Sequence, residues 1–248
     1  MPMPAPSTPA SLDQPALLAA LRARVARLEG AGGARHGLGP IPLCEGLALP
    51  GGGLARAALH EVLATSPGCG AAFCATLLGR SGGTVLWISA GEAGPLAWPP
   101  GLAQYGLNPA QLVLVQAGRS SEALWAMEEA LRCPAVSGAL LALEEADPAL
   151  DLTATRRLQL AAEAGGALGL LLRPGEEAAE AGAAPGHSAA TTRWRVGSLA
   201  SSGSPHWQLE LLRARGGRPG GPWAVTWRSG EGRLTLDEEA APPRHARR

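Results

Sequence analysis

The sequence contains no lysine. All 21 of its basic residues are arginine, and 21 acidic residues bring the formal net charge to zero. The missing ammonium group excludes lysine as a phosphate clamp, a Schiff-base amine or a general base. The zero net charge excludes a globally basic, histone-like binder, so any contact with nucleic acid must come from a local basic patch.

Cysteines are few, and long apolar runs are missing. Cys44, Cys69, Cys74 and Cys133 form no C-x-x-C pair and have no histidine at ligand spacing, so we expect no metal site. No stretch approaches the roughly 20 apolar residues of a membrane-spanning helix, and the N-terminal residues do not resemble a signal peptide. We therefore expect a cytoplasmic protein with reduced thiols and no membrane contact.

Composition divides the chain into four parts. Residues 1–14 are rich in proline and alanine, and we expect them to be disordered. A helix and a linker are predicted over 15–48. A single core is predicted over 49–236, with a flexible loop at 175–190 where the apolar pattern is lost. The last residues, 237–248, are expected to be frayed.

The predicted N-terminal helix is amphipathic. Leu17, Leu21, Val25 and Leu28 recur at helical spacing with arginines between them, and Gly30 ends the pattern. This apolar stripe could pack on the protein's own core or bind a partner protein. The sequence leaves both interpretations open.

Strand and helix patterns alternate through the middle of the chain. Short apolar, β-branched segments predict strands at 58–63, 84–88, 111–115, 138–143 and 168–172. Longer helical patterns lie between them, at 71–80, 120–131 and 152–164. Such alternation is typical of an α/β fold with a mainly parallel sheet flanked by helices. Antiparallel additions to that sheet are predicted from three later strand patterns, at 193–196, 207–211 and 223–227.

A phosphate loop lies between a strand and the following helix in many such folds, with the pattern G-x-x-x-x-G-K-[ST]. Its lysine reaches the terminal phosphates, and its hydroxyl binds magnesium. In the equivalent stretch here Thr65 stands in place of the first glycine, and only Gly70 is kept. Ala71 replaces the lysine and Ala72 replaces the hydroxyl. The pattern predicts no nucleotide hydrolysis and no cofactor, although a helix N-terminus can still attract an anion.

The order of these landmarks resembles the RecA-like recombinase family. The glycine-rich segment 49–62 looks like the turn into the family's first core strand. Glu92 occupies the place of the family's water-activating carboxylate, and Glu144 and Glu145 follow the strand that should end at the magnesium site. The resemblance implies a RecA-like core without its nucleotide chemistry. Taken alone, Glu92 is more simply explained as an exposed loop residue. Glu144 and Glu145 are more simply explained as exposed or helix-capping residues, since adjacent carboxylates repel without a cation.

A narrower resemblance, over roughly residues 17–236, is to the ImuA family of bacterial SOS mutagenesis. It is carried by the segments 123–134, 151–166, 192–196 and 209–220. The resemblance implies a non-catalytic accessory protein of error-prone translesion DNA synthesis. It also implies ImuB, an inactive relative of the Y-family polymerases, as a partner. Through ImuB the family reaches an error-prone C-family polymerase and the sliding clamp, with RecA and single-stranded DNA as further candidates.

Arginines cluster in the C-terminal part of the chain. In the pattern at 193–196, Arg193 and Arg195 share one face of a strand and Trp194 lies on the other. Further arginines follow at Arg213, Arg215 and Arg218. Guanidinium groups bind phosphates and aromatic rings stack on bases, so these residues form the candidate site for single-stranded DNA. Ordinary surface arginines are an equally simple explanation in a chain without lysine.

Three functions stay open at this point. The first is a RecA-fold adaptor that binds proteins and DNA in translesion synthesis. The second is a nucleotide-binding regulator with residual ATPase activity, and the third is a DNA binder that acts on recombination filaments. The seven tryptophans do not decide between these functions. Most of them, such as Trp87 and Trp125, fall in apolar-periodic segments and are expected in the core.

Overall fold

The computed structural model describes residues 39–47, 49–91, 97–143, 148–175, 188–201 and 203–237. Several predicted features lie outside these ranges: residues 1–14, the N-terminal helix with Leu17, Leu21, Val25 and Leu28, the acids Glu92, Glu144 and Glu145, most of the loop at 175–190, and the tail from 238 on.

One sheet runs through the described part of the chain. Its nine strands are β1 (Ala58–Ala64), β2 (Thr84–Ala90), β3 (Leu112–Ala117), β4 (Val136–Ala142), β5 (Leu168–Pro174), β6 (Thr192–Ser198), β7 (His206–Ala214), β8 (Gly220–Arg228) and β9 (Arg233–Leu236). Across the sheet they follow the order β3-β2-β4-β5-β1-β6-β7-β8-β9. Strands β1 to β6 run parallel, and β7 to β9 are antiparallel. The predicted α/β class, with a mainly parallel sheet and C-terminal antiparallel strands, is confirmed.

One detail of the C-terminal prediction was wrong. The segment around Arg193 was expected as an antiparallel addition, but β6 pairs with β1 in parallel. Thr191, which precedes β6, donates its N–H to the carbonyl of Leu59 near the start of β1, at 2.7 Å. Strand β6 therefore begins at the same end of the sheet as β1, and the two strands run in the same direction.

Helices flank this sheet on both faces. They are α1 (Pro67–Leu78), α2 (Pro99–Ala103), α3 (Ser120–Arg132) and α4 (Leu152–Gly165). The last helix begins where the Asp151 carboxylate accepts a hydrogen bond from the N–H of Ala154, at 2.7 Å. It ends at Gly166, whose φ of 74° is the left-handed conformation that favours glycine. Within the described ranges, no helix is both long and apolar enough to cross a membrane.

The two faces of the sheet carry separate hydrophobic clusters. On one face α1 packs over β1, β5 and β6, with Phe73 fully buried in the cluster. On the other face α3 and α4 pack over β1, β2 and β4, with Met127 and Leu158 inside. All seven residues of β1 are buried because both of its faces are covered. This central strand positions the loop and the side chains considered below.

The tryptophan prediction holds only in part. Trp87 is buried on β2, as expected, but Trp125 is 64% exposed on α3. Helix α3 buries Ala123, Met127 and Leu131 against the sheet, and Trp125 lies on its outer face. The exposure of Trp125 is set by its position outside this buried face of the helix and not by its apolar character.

Candidate functional site

The degenerate phosphate loop is very short. Only Thr65 and Ser66 separate β1 from α1, and Pro67 is the first helical residue. The N–H of Gly70 already donates to the carbonyl of Ser66, at 3.1 Å. In a phosphate loop the corresponding N–H groups face a bound phosphate ahead of the helix. Here the equivalent residues form the first helical turn instead.

Gly70 has a packing role in this turn. A Cβ at this position would collide with Cδ1 of Leu172 and would lie 2.5 Å from the Cβ of Ala64. Helix α1 therefore approaches β1 and β5 too closely to allow a side chain here. Gly68, in the same turn, has nothing within 4 Å of a built Cβ. The one glycine that matches the motif is explained by helix–sheet packing without any ligand.

The remaining positions of the loop present little polar chemistry. Ala72 is buried in the core, and Ala71 is partly buried beside it. The thiol of Cys69 is also buried, and burial raises its pKa, with a hydrogen bond to Ser198 acting in the opposite direction. The N–H of Thr65 donates to the carbonyl of Val196 at 3.0 Å and so ties the loop to β6. None of these side chains supplies the cation or the magnesium ligand that the motif has lost.

The predicted DNA-binding arginines fall into two groups. On β6, Arg193 donates through Nε to Oε2 of Glu61 at 2.7 Å, and Arg173 donates to the other carboxylate oxygen at 2.7 Å. Glu61 is completely buried, and the side chains of Arg193 and Arg173 are only 12% and 13% exposed. The charge of Arg193 is therefore committed to a buried cluster of three side chains inside the sheet.

The neighbours of Arg193 on β6 are also engaged. Arg195 forms an ion pair with Glu210 of β7, with 2.5 Å between the charged atoms. Trp194 lies on the opposite face, as predicted, but it is only 1% exposed, and its indole N–H donates to Oγ1 of Thr192 at 2.8 Å. A ring buried in this way has no free face on which a base could stack.

The second group of arginines is exposed. Arg213 and Arg215 stand at the end of β7, and Arg218 lies in the connection to β8. Arg213 donates to the carbonyl of Ala190, and Arg215 donates to that of Ala189 at 3.1 Å. Ser188, Ala189 and Ala190, the end of the predicted flexible loop, are buried against these residues and α4. Of the predicted cluster, only these three arginines remain accessible at one place.

Two polar residues that sequence reasoning missed lie inside β1. His60 is fully buried: its Nε2 donates to the carbonyl of Ala55 at 2.8 Å, and its Nδ1 accepts from the hydroxyl of Thr192 at 2.7 Å. Burial lowers the pKa of His60 to about 4, so the ring is neutral near pH 7. The other residue is Glu61. The available signal was the adjacent pair of polar residues within an otherwise apolar strand pattern.

Metal chemistry finds no support in the described part of the chain. No group of three or more His, Cys, Asp or Glu side chains there could hold a metal ion. The four cysteines are free thiols. Burial raises the pKa of Cys44 to about 11 and also raises that of Cys74, so both thiols stay protonated at neutral pH.

Comparison with known proteins gives the family. The chain is similar to the proteins called "Protein ImuA" from two strains of Caulobacter vibrioides. Each is 39% identical over 192 residues, which covers 69% of this chain and 76% of the relative. No protein-family model matches the chain. Since the similarity covers most of both proteins, the chain belongs to the ImuA family.

Proposed function

We propose that this chain is a non-catalytic accessory protein of SOS-induced, error-prone translesion DNA synthesis, with a RecA-like body that serves for assembly with other proteins. Membership of the ImuA family supports the cellular role. The non-catalytic part rests on one observation: α1 begins at Pro67, with Ala71 and Ala72 where the lysine and the magnesium-binding hydroxyl belong.

The physical argument against hydrolysis concerns charge and geometry together. Phosphoryl transfer depends on cations that neutralise the terminal phosphates, and neither alanine can supply one or hold magnesium. The backbone donors are reduced as well, because Pro67 has no N–H and the N–H groups of Thr65 and Gly70 are bound within the protein. The side chains of Cys69 and Ala72 are buried instead of facing a ligand.

The proposed partners are a relative of the Y-family polymerases that resembles ImuB and, through it, an error-prone C-family polymerase in the cytoplasm. The sliding clamp and RecA are secondary candidates. Single-stranded DNA is a weaker one, because Arg193 and Arg195 pair with carboxylates and Trp194 is buried.

Isothermal titration calorimetry with ATP and magnesium tests the non-catalytic part. We expect no binding heat at micromolar protein and no phosphate release. Micromolar ATP binding would contradict this part and would favour the alternative, a nucleotide-binding regulator with residual ATPase activity.

Co-purification tests the assembly part. The chain and the ImuB-like protein of the same organism, expressed together with a tag on one of them, should elute as one complex from a sizing column. Separate elution at concentrations of several micromolar would contradict the proposed role.

A further inference from the structure

A cleft opens at the N-terminal ends of β1 and β6, whereas the degenerate phosphate loop follows the C-terminal end of β1. We call it the hairpin cleft, because the β7–β8 connection forms one of its walls; it encloses about 270 Å³. Leu49 and Ala214 line it as partly exposed apolar residues, and Leu54, Trp194 and Leu211 form its floor, each no more than 2% exposed. This volume lies below the 300 Å³ or so at which small-molecule pockets begin. The cleft therefore has room for a single inserted side chain.

The polar atoms inside the cleft are already paired. The Trp194 indole donates to the Thr192 hydroxyl, which donates to His60, and the His60 ring in turn donates to the carbonyl of Ala55. Since burial keeps His60 neutral, this chain of hydrogen bonds carries no net charge. A polar ligand would find few unsatisfied groups inside, whereas an apolar side chain would displace water from the exposed part of the apolar lining.

The rim of the cleft is positively charged. Arg215 lines the cleft, and Arg213 and Arg218 belong to the same end of the hairpin. Arg213 and Arg215 donate to backbone carbonyls, which carry no negative charge. In the described part of the chain, the one acidic side chain paired with these arginines is Glu163, 4.0 Å from Arg215. An acidic ligand would complement this rim.

We propose that the hairpin cleft binds a segment of a partner protein that carries an apolar anchor residue flanked by acidic residues. This inference deepens the proposed function, since the partner would be the polymerase relative named above. Nucleic acid is disfavoured because the indole that lines the cleft, Trp194, is only 1% exposed and cannot stack on a base, and the half-buried Trp223 ring packs against Gly220 of the hairpin.

Charge reversal on the rim tests the proposal in the full-length protein. In the double variant Arg215→Glu/Arg218→Glu, affinity for the purified ImuB-like protein should fall at least about tenfold, because attraction becomes repulsion. The control is Arg228→Glu, which reverses the charge of one exposed arginine at the far end of β8 and should change the affinity less than about twofold. Melting temperatures of all variants show whether the fold is retained. Equal loss in the control and the double variant would overturn the proposal.

A second variant fills the cleft without altering charge. Ala214→Phe should block the anchor residue and weaken binding by a similar factor, and unchanged affinity in a folded protein would overturn the proposal. The second probe is a fluorescent octapeptide with a central Leu-Phe pair between acidic residues, compared with the same peptide carrying Ala-Ala. Wild-type protein should prefer the Leu-Phe peptide, and both the double variant and Ala214→Phe should lose this preference.

The two probes separate failure of the function from failure of the site. If the ImuB-like protein does not bind but the Leu-Phe peptide does, the partner is wrong and the cleft stands. If the partner binds wild type and both cleft variants equally, the function stands and the cleft proposal fails. Loss of binding to a labelled fifteen-nucleotide oligo-dT in the double variant, with protein binding unchanged, would assign the rim to nucleic acid and also overturn the proposal.

Discussion

Replacement of Glu61 by glutamine should destabilise the protein strongly. The carboxylate is completely buried and accepts one hydrogen bond from Arg173 and one from Arg193, each at 2.7 Å. The amide keeps the shape but loses the charge, and its NH₂ group would face one guanidinium donor with another donor. Removal of one partner from a buried ion pair costs about 3–5 kcal/mol.

The expected loss lies at the lower end of that range. Glutamine retains one acceptor oxygen, and both guanidinium groups keep a small exposed fraction through which water can reach them. We therefore expect Glu61→Gln to lower the free energy of unfolding by about 3 kcal/mol. The matched control is Glu210→Gln, whose pair with Arg195 is about one-third exposed. That change should cost only about 0.5 kcal/mol.

Urea unfolding at pH 7, followed by tryptophan fluorescence, measures both variants. Equal m-values would show that the two variants expose similar surface on unfolding, so that differences in midpoint report differences in stability. The ion-pair argument would be refuted if Glu61→Gln lowered the free energy of unfolding no more than Glu210→Gln. Added salt should reduce the small effect of the control more than that of the buried cluster.

Three further predictions concern the first helical turn and the central strand. Gly70→Ala should destabilise the protein by about 1–3 kcal/mol because a Cβ has no space there. Gly68→Ala should be neutral or stabilise the protein by up to about 1 kcal/mol, because a Cβ meets no atom there. Urea unfolding measures both variants. Burial lowers the pKa of His60 from 6.5 in the unfolded chain to about 4 in the folded protein, so the unfolded state binds a proton more readily between these values. The free energy of unfolding should therefore decrease by about 3 kcal/mol as the pH falls from above 6.5 to 4. His60→Gln should remove that part of the pH dependence, measured as the difference between the two stability profiles. Ala71→Lys/Ala72→Thr should not create ATP binding by calorimetry, because the backbone already follows the helix there.

Each of these predictions has an opposing outcome. Equal stabilities of the two glycine variants would mean that α1 can shift away from the sheet. If the stability of His60→Gln depended on pH in the same way as that of the wild type, the His60 ring would be protonated in the folded protein without loss of stability. Micromolar ATP binding by the Ala71→Lys/Ala72→Thr variant would mean that only the missing side chains, and not the backbone conformation, prevent nucleotide binding.

Much of the fold could be predicted from the sequence because strand and helix patterns are local. The strand at Thr84–Ala90 and the helix at Leu152–Gly165 fall within two residues of their predicted bounds. The direction of β6 could not be predicted in this way. It depends on where the chain re-enters the sheet after a long connection, and no local pattern encodes that point.

The candidate site shows the same division. The amino-acid sequence was enough to show that no lysine is present and that Ala71 and Ala72 stand in the phosphate-loop positions. Residue identity is enough for that conclusion, because the missing charge and the missing hydroxyl cannot be restored by folding. The early start of α1 at Pro67 required the structure.

Which arginines of the predicted cluster stay accessible depends on tertiary contacts. In sequence, Arg193 and Arg218 are equivalent basic residues near aromatic ones. In the fold, β1 brings Glu61 next to Arg193, 132 positions away along the chain, while the β7–β8 hairpin holds Arg218 in solvent. Whether a charge is free or neutralised depends on which distant carboxylate the sheet register places beside it. Strand pairing sets that register, and the local sequence around each arginine does not contain it.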